Sequence, residues 1–316
     1  MASEVAQGDD GMLVEVVGEW AIDKHDYLCR YLDASRGARK LFIGPRNAGA
    51  TFADLFCAFG RSRIRDTVRF IDGSPVAAWK ASSSGYAPFN QVYVADRDQD
   101  RREICARRLS TLNAPVVELP GDAVAAASGY RCRVNPAGLH LVFLDPHSLG
   151  ALDFRIIEEL SRLKRVDMLI HVSVMDMQRN LPGQLSDAEA AEFDAFAPGW
   201  REAIDRTGPQ AEVRRRLLEH WSKRVTGLGM LPFIGTRLIK GRRGQRLYWL
   251  MLASRESLHR SSGERLVAST VKPKCLGSWA FRRRSDLGAS ALPPSCSSRR
   301  NPLHIFRTAA RLGGRR

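Results

Sequence analysis

Four acids in this chain stand where apolar runs end, and that placement is what gives them chemistry. Asp54 closes Ala50-Thr-Phe-Ala, Asp96 closes Gln91-Val-Tyr-Val-Ala, Asp145 closes the run from Leu139 to Leu144, and Asp122 follows Pro115-Val-Val-Glu-Leu119 beyond Gly121. Such runs, nearly free of polar alternation, read as strands covered on both faces, as in a parallel sheet. Their C-terminal ends form the edge where open α/β sheets bind ligands, and Gly60 just beyond Asp54 lets the backbone approach one closely. A surface acid and an ordinary turn glycine are the plainer reading of those two residues. Asp96 is placed to accept hydrogen bonds from ribose hydroxyls. Asp98 and Asp100 compete for that role, and all three can instead cap the helix that follows.

The elements that must position these acids can be taken in order. Trp20, Lys24, Leu28, Tyr31 and Leu32 recur at helical spacing and predict an amphipathic helix over 19–34, with Trp20 and Tyr31 as core anchors and Lys24 with His25 on a solvated edge. The first strand is followed by a basic loop holding Arg61, Arg63, Arg65 and Arg69, which is either solvated surface or a contact for a polyanion. That loop closes at Asp72-Gly-Ser-Pro75, where Ser74 can cap a helix and Pro75 can take its first position. The N-terminus of that helix then faces the edge with Asp54 and Gly60 and favours a carboxylate or phosphate.

Further on, helices are predicted over 101–109, 152–163 and 210–226, a fifth strand over 166–174, and two last runs over 233–240 and 246–254 joined at Gly241-Arg-Arg-Gly244 as a hairpin. Alternating strands and helices predict an α/β, doubly wound, mostly parallel sheet ending in an antiparallel pair. The expected domains are a polar leader over 1–18, an α/β domain over 19–255 with a helical insertion at about 181–230, and a basic tail over 256–316.

A length of 316 residues and 44% hydrophobic content suffice for a proper core. No run reaches the apolar length of a membrane span and no signal-like leader is present, so a cytoplasmic protein is expected. Cysteines at 29, 57, 105, 132, 275 and 296 form no Cys-x-x-Cys pair, which argues against a zinc site or a disulfide framework. The net charge is +15, but residues 261–316 hold twelve lysines and arginines against two acids and so carry +10 of it. The basic character therefore says little about nucleic-acid binding by the folded part.

Taken together the residues resemble the nucleotide-binding sheets of S-adenosylmethionine-dependent methyltransferases, and within them the three-Cys-motif partner proteins. The likeness runs through Trp20-Ala-x-x-Lys24-His25, Asp54-Leu-Phe-Cys57-x-x-Gly60-Arg61, Asp72-Gly-Ser-Pro75, Leu144-Asp145-Pro146, Asp176-Met-Gln-Arg179-Asn180, Pro198-Gly-Trp200 and Leu247-Tyr-Trp-Leu250. The resemblance implies S-adenosylmethionine as cofactor, with Asp54, Cys57 and Gly60 near its methionine portion, Asp96 at the ribose and Asp122 near the adenine. It implies that Asp145, Pro146 and His147 hold a nitrogen or oxygen acceptor; Arg61, Arg63 and Arg65, by the charge of their loop and not by the resemblance, are the candidate contacts for substrate or nucleic acid. By family name alone it implies a protein partner carrying a three-Cys motif. Cys57 reads as packing more readily than as a nucleophile.

Two departures from the family pattern stand out. Ala58-Phe59-Gly60 replaces Gly-Pro-Gly, which leaves Phe59 either crowding the cofactor or pointing away from it, and His147 stands where an aromatic residue is usual. A catalytically silent binding module on the same fold is the alternative function.

Residues 261–316 lose both helical and strand periodicity, so this stretch is expected to be disordered and dispensable, as a shift of reading frame near residue 260 would make it. A functional basic extension is the competing reading. Limited proteolysis should remove the tail and leave a folded fragment; a resistant fragment that keeps residues 261–316 would contradict this.

Overall fold

The computed structural model describes residues 4–187, 190–233, 238–240 and 246–255. The tail over 256–316 and the Gly241–Gly244 connection lie outside the described residues. The chain opens with β1 (Val5–Gln7), β2 (Leu13–Val17), α1 (Trp20–Ala34) and α2 (Arg36–Lys40). There follow β3 (Ala50–Asp54), β4 (Arg61–Ile64), β5 (Phe70–Asp72), α3 (Ser74–Ser84), β6 (Gln91–Ala95) and α4 (Gln99–Thr111). The middle holds β7 (Val116–Leu119), α5 (Ala123–Arg133), β8 (Leu139–Leu144), α6 (Phe154–Ser161) and β9 (Val166–Ser173). Last come α7 (Val174–Ser186), α8 (Glu192–Phe196), α9 (Trp200–Ala203), α10 (Gln210–Gly227), β10 (Leu231–Phe233), β11 (Leu238–Lys240) and β12 (Arg246–Ser254).

The main sheet runs in the order β7-β6-β3-β8-β9-β12-β10, with β11 also paired to β12. β7, β6, β3, β8 and β9 are mutually parallel, and β12 enters antiparallel to β9. β10 is antiparallel to β12 and so runs with the five parallel strands. This is the doubly wound sheet of a Rossmann-like methyltransferase fold, closed by an antiparallel strand slotted between two others. The chain leaves β3 toward β6 and β7, then returns to β8 on the other side of β3, so the strand order reverses there. A crevice opens at the C-terminal end of strands at such a reversal.

The strands are buried on both faces, as their unbroken apolar runs require. Phe52, Phe143 and Leu169 pack against Leu28, Leu32, Val76 and Leu109 of α1, α3 and α4. Ala53, Val142 and Met168 face Tyr130, Ile157, Leu181 and Trp221 of α5, α6, α7 and α10. Tyr31 donates a buried hydrogen bond to Asp167 of β9, which fixes α1 against the sheet.

The N-terminal region and the basic loop depart from their expected form. The polar leader carries β1 and β2, and the stretch from Arg61 to Arg69, expected as a loop, holds β4 and the turn into β5. Together they make a second sheet in the order β1-β2-β4-β5. Arg-Ser-Arg-Ile has the period of two that a half-buried strand needs, with Ser62 and Ile64 inward and the arginines outward. This hairpin is inserted between the Asp54–Gly60 loop and α3.

Two glycines close the neck of the insertion. The Gly73 N–H donates to the Gly60 carbonyl at 2.8 Å, and a Cβ on Gly73 would stand 2.6 Å from the Gly60 carbonyl carbon. Gly73 also serves as the N-cap of α3, so Ser74 is the first helical residue rather than the cap and Pro75 is the second. The contact sets α3 down beside β3 as though no hairpin intervened. Gly73→Ala is expected to cost about 2 kcal/mol in chemical denaturation, because its neighbour is backbone that cannot move aside; a loss below a few tenths would show that the neck is loose.

Candidate functional site

A cavity of about 730 Å³ opens at the C-terminal edge of the sheet, at the strand reversal. One wall is the Leu55–Gly60 turn after β3. There the Cys57 N–H donates to the Ala95 carbonyl at 2.9 Å and the Ala58 N–H to Asp96 Oδ2 at 3.0 Å. Asp96 Oδ1 accepts from the Asp98 N–H at 3.0 Å, so this carboxylate ties the turn after β3 to the turn after β6. Burial raises its pKa despite those two donors. Ala58 takes φ +45°, a left-handed conformation that glycine adopts more readily. Phe59 is buried away from the cavity beneath the Arg101 guanidinium, 5.1 Å from its ring, which decides between the two placements open for it.

Of the residues singled out in the sequence, Cys57, Gly60, Asp96, Asp122, Asp145 and His147 line the cavity. Gly60 has φ +73°, and a Cβ there would meet Cys105 Sγ at 2.9 Å. Asp122 caps α5, accepting from the Ala125 N–H at 2.8 Å, and Asp98 caps α4. The Cys57 thiol is buried and its pKa is pushed far up by desolvation and by the neighbouring Cys105, so it is packing rather than a nucleophile.

Asp54 and Pro146 do not line the cavity. Asp54 is fully buried, accepting from Ser74 Oγ at 2.5 Å and from the Phe56 N–H at 3.0 Å. Burial pushes its pKa up to about 7 against those two donors. The arginines are elsewhere too. Arg61 is held by Asp9 at 2.6 Å and Asp72 at 2.8 Å, while Arg63 and Arg65 border a shallow depression beside Val68 on the small sheet.

Lys24 lies farthest from its expected place. Expected on a solvated edge, it is 6% exposed, and its ammonium donates to Asp145 Oδ2 on the cavity wall. His171 of β9 lies behind, its Nδ1 3.2 Å from Asp145 Oδ1 but out of line for a hydrogen bond. Burial alone would raise the Asp145 pKa, yet Lys24 and His171 together hold it below the usual carboxylate range. His25 and His171 are both pushed down to about 4, chiefly by desolvation, and are neutral at pH 7.

Tyr248 of β12 packs edge-on to His171 at 4.1 Å and donates to the Trp20 carbonyl at 3.2 Å. Asp176 of α7 accepts from the Leu149 N–H at 2.7 Å and from Asn180 at 2.8 Å, bracing the loop after Asp145. Fragments 20–24, 145–149, 171–180 and 248 thus meet around one carboxylate. The small sheet supplies Glu15, Val17 and Ser62 to the opposite wall, with Glu15 accepting from Arg101 at 3.2 Å. Sequence reading missed Glu15, Ser62, Arg101, Arg155 and His171. Only His171, a titratable residue inside an apolar run, left a signal that could have been followed.

No family model matches the chain, and no curated protein matches it. Solved structures similar to it include TYW2 from M. jannaschii in complex with AdoMet, at 10% identity over 80% of this chain and 84% of that one, with a TM-score of 0.38. Cofactor-bound Rv0187 from MTB is 14% identical over 73% of this chain and 79% of that one, with a TM-score of 0.40. LPL1258 from Legionella pneumophila is 12% identical over 80% and 91%, with a TM-score of 0.45. Among the described residues no helix is long and apolar enough to cross a membrane, and no cluster of His, Cys, Asp and Glu could hold a metal ion.

The buried groups titrate in opposite senses. Asp54, at about 7 in the fold, stands above its unfolded value of roughly 3.9, so its contribution to stability is complete below about pH 4 and is lost as pH rises through 7. His25 and His171, at about 4, stand below roughly 6.5, so theirs is complete above pH 6.5 and is lost as pH falls through 4. Between about pH 5 and pH 8, wild type should lose roughly 2–3 kcal/mol relative to Asp54→Asn in denaturant unfolding. Parallel pH profiles of the two proteins would show that Asp54 is ionised in the fold.

Proposed function

We propose that this chain is an S-adenosylmethionine-dependent methyltransferase acting on a nitrogen or oxygen nucleophile. The observation that carries this reading is one cavity, at the strand reversal, walled by Ala58, Gly60, Asp96, Asp122 and Asp145. Its volume of about 730 Å³ falls within the range of roughly 300–1,000 Å³ usual for small-molecule sites. Asp96 suits the ribose because a carboxylate already accepting two backbone N–H groups still has acceptor capacity for a diol. Asp122, at the start of α5, suits the adenine end. Ala58 and Gly60 suit the methionine portion, since Phe59 is turned away from them.

The cofactor would supply an electrophilic methyl group on a sulfonium; the protein supplies position and surroundings. Methyl transfer asks for in-line approach in a site sheltered from water more than for a protein nucleophile, which accords with the inert Cys57. Asp145 stands at the acceptor end, and Asp54 acts behind the wall through Ser74 as a positioning residue.

The finer assignment within this reading is the three-Cys-motif partner family. Its support is that Lys24, Asp145, Asp176 and Tyr248, each from a different motif fragment, lie in one contiguous cluster. A protein partner carrying a three-Cys motif goes with that assignment. Work in the cytoplasm is supported by unbridged thiols at Cys29, Cys57, Cys105 and Cys132. Nucleic-acid contact in this reading falls to Arg63 and Arg65, since Arg61 is held by two carboxylates and Arg63 by one, Glu4, at 3.9 Å.

Calorimetry with S-adenosylmethionine and S-adenosylhomocysteine tests the reading. Both are expected to bind, and Asp96→Ala should weaken them roughly 10- to 100-fold, the loss of a charge-assisted hydrogen bond. No binding at saturating cofactor would leave the chain a catalytically silent binding module on this fold.

A further inference from the structure

The acceptor end of the cavity carries its own chemical signature, and the inference drawn from it rests on the methyltransferase reading. We propose that Lys24 makes this end of the cavity a site for an anionic oxygen acceptor, a carboxylate or an acidic phenol or enol, and not for an amine. An amine acceptor uses a carboxylate to receive its N–H and must shed a proton as the methyl arrives. Asp145, the carboxylate in that place, is already engaged from inside the protein. Its Oδ2 takes the Lys24 ammonium, its Oδ1 faces His171 Nδ1 at 3.2 Å, and its side chain is only 15% exposed. With Lys24 against it the group stays ionised and stabilised, a poor receiver for a proton.

What the wall offers instead is N–H. An ammonium has three donors, and among the described residues Lys24 is hydrogen-bonded to Asp145 alone. The side chain is fixed by the Trp20 ring, 5.2 Å from its nitrogen, so the remaining donors are held in place rather than swept through solvent. His25, the next residue, lines the same wall and is neutral, its ring hydrogen-bonded to the Asp72 backbone, so it adds no negative charge beside the ammonium. The free N–H groups of that ammonium can hold an oxygen anion through charge-assisted hydrogen bonds.

The chemistry balances without a base. A lone pair on the anionic oxygen forms the new C–O bond to the methyl carbon while the C–S bond breaks with its electron pair left on sulfur. A sulfonium and an oxyanion become a thioether and a methyl ester or ether, and no proton leaves. That matches a site whose imidazoles are pushed down to about 4 and are weak bases.

The test compares benzoate with aniline, equal-sized probes of the two acceptor classes, by ligand-observed NMR on the full chain with and without saturating S-adenosylhomocysteine. Benzoate is expected to bind at least tenfold more tightly than aniline. Lys24→Met should cut benzoate binding at least tenfold and strengthen aniline binding, because Asp145 becomes free to accept its N–H. Lys24→Arg should retain most of the benzoate affinity. Lys24→Met leaves a buried carboxylate unpaired and can fail to fold; the double variant Lys24→Met/Asp145→Asn removes both charges and should fold but lose benzoate. A purely structural ion pair would not invert the preference between the probes. Aniline binding as tightly as benzoate to wild type, or benzoate indifferent to the double variant, overturns the proposal. If S-adenosylhomocysteine binds and benzoate does not, the methyltransferase reading survives and this assignment falls. If benzoate behaves as expected and S-adenosylhomocysteine does not bind, the anion site stands and methyl transfer falls.

Discussion

The ion pair between Lys24 and Asp145 is the contact on which the cavity end of this molecule depends. A buried carboxylate at the end of a parallel strand is costly unless a partner is brought to it, and breaking such a pair by removing one member costs about 3–5 kcal/mol. The partner comes from α1, more than a hundred residues earlier. For the pair to form, α1 must lie along the sheet in one register. Two further bonds hold it there: Tyr31 to Asp167 at the start of β9, and Tyr248 of β12 to the Trp20 carbonyl. The helix is pinned at both ends and at Lys24.

The inserted hairpin is the second constraint. A chain that leaves β3 for a helix usually enters it directly; here β4 and β5 intervene and join β1 and β2 in a separate sheet. The detour is tolerated because Gly60 and Gly73 touch, which closes it at the base and keeps α3 beside β3. Arg108 secures the covering layer, with a bidentate pair to Asp10 and hydrogen bonds to the carbonyls of Leu13 and Phe59. That last bond connects the small sheet to the turn after β3, and Phe59 is buried under the same layer. The bulky residue in the turn and the extra sheet therefore belong together: the second gives the first a place to go.

The parallel strands were legible because burial on both faces writes itself as an unbroken apolar run, and three of the four acids closing those runs, Asp96, Asp122 and Asp145, line the cavity at their edge. The helices at 20–34, 99–111 and 210–227 were legible for the same reason, through the 3.6-residue period. The small sheet was not. Its strands are three to five residues long and half exposed, too short for alternation to stand out from a polar background, and its partners lie about fifty residues apart.

The sequence by itself determined that this chain would wind a mostly parallel α/β sheet and which edge of it would carry Asp96, Asp122 and Asp145, since both follow from local patterning. Tertiary structure alone decided which acids face the cavity and which lie behind it. Asp54 and Asp145 read alike in one dimension, yet one is capped by Ser74 and holds its proton near neutrality while the other meets Lys24 and stays ionised. The charge state of a buried carboxylate is set by the neighbours that desolvate it or pair with it, and those come from segments whose proximity no short-range pattern encodes.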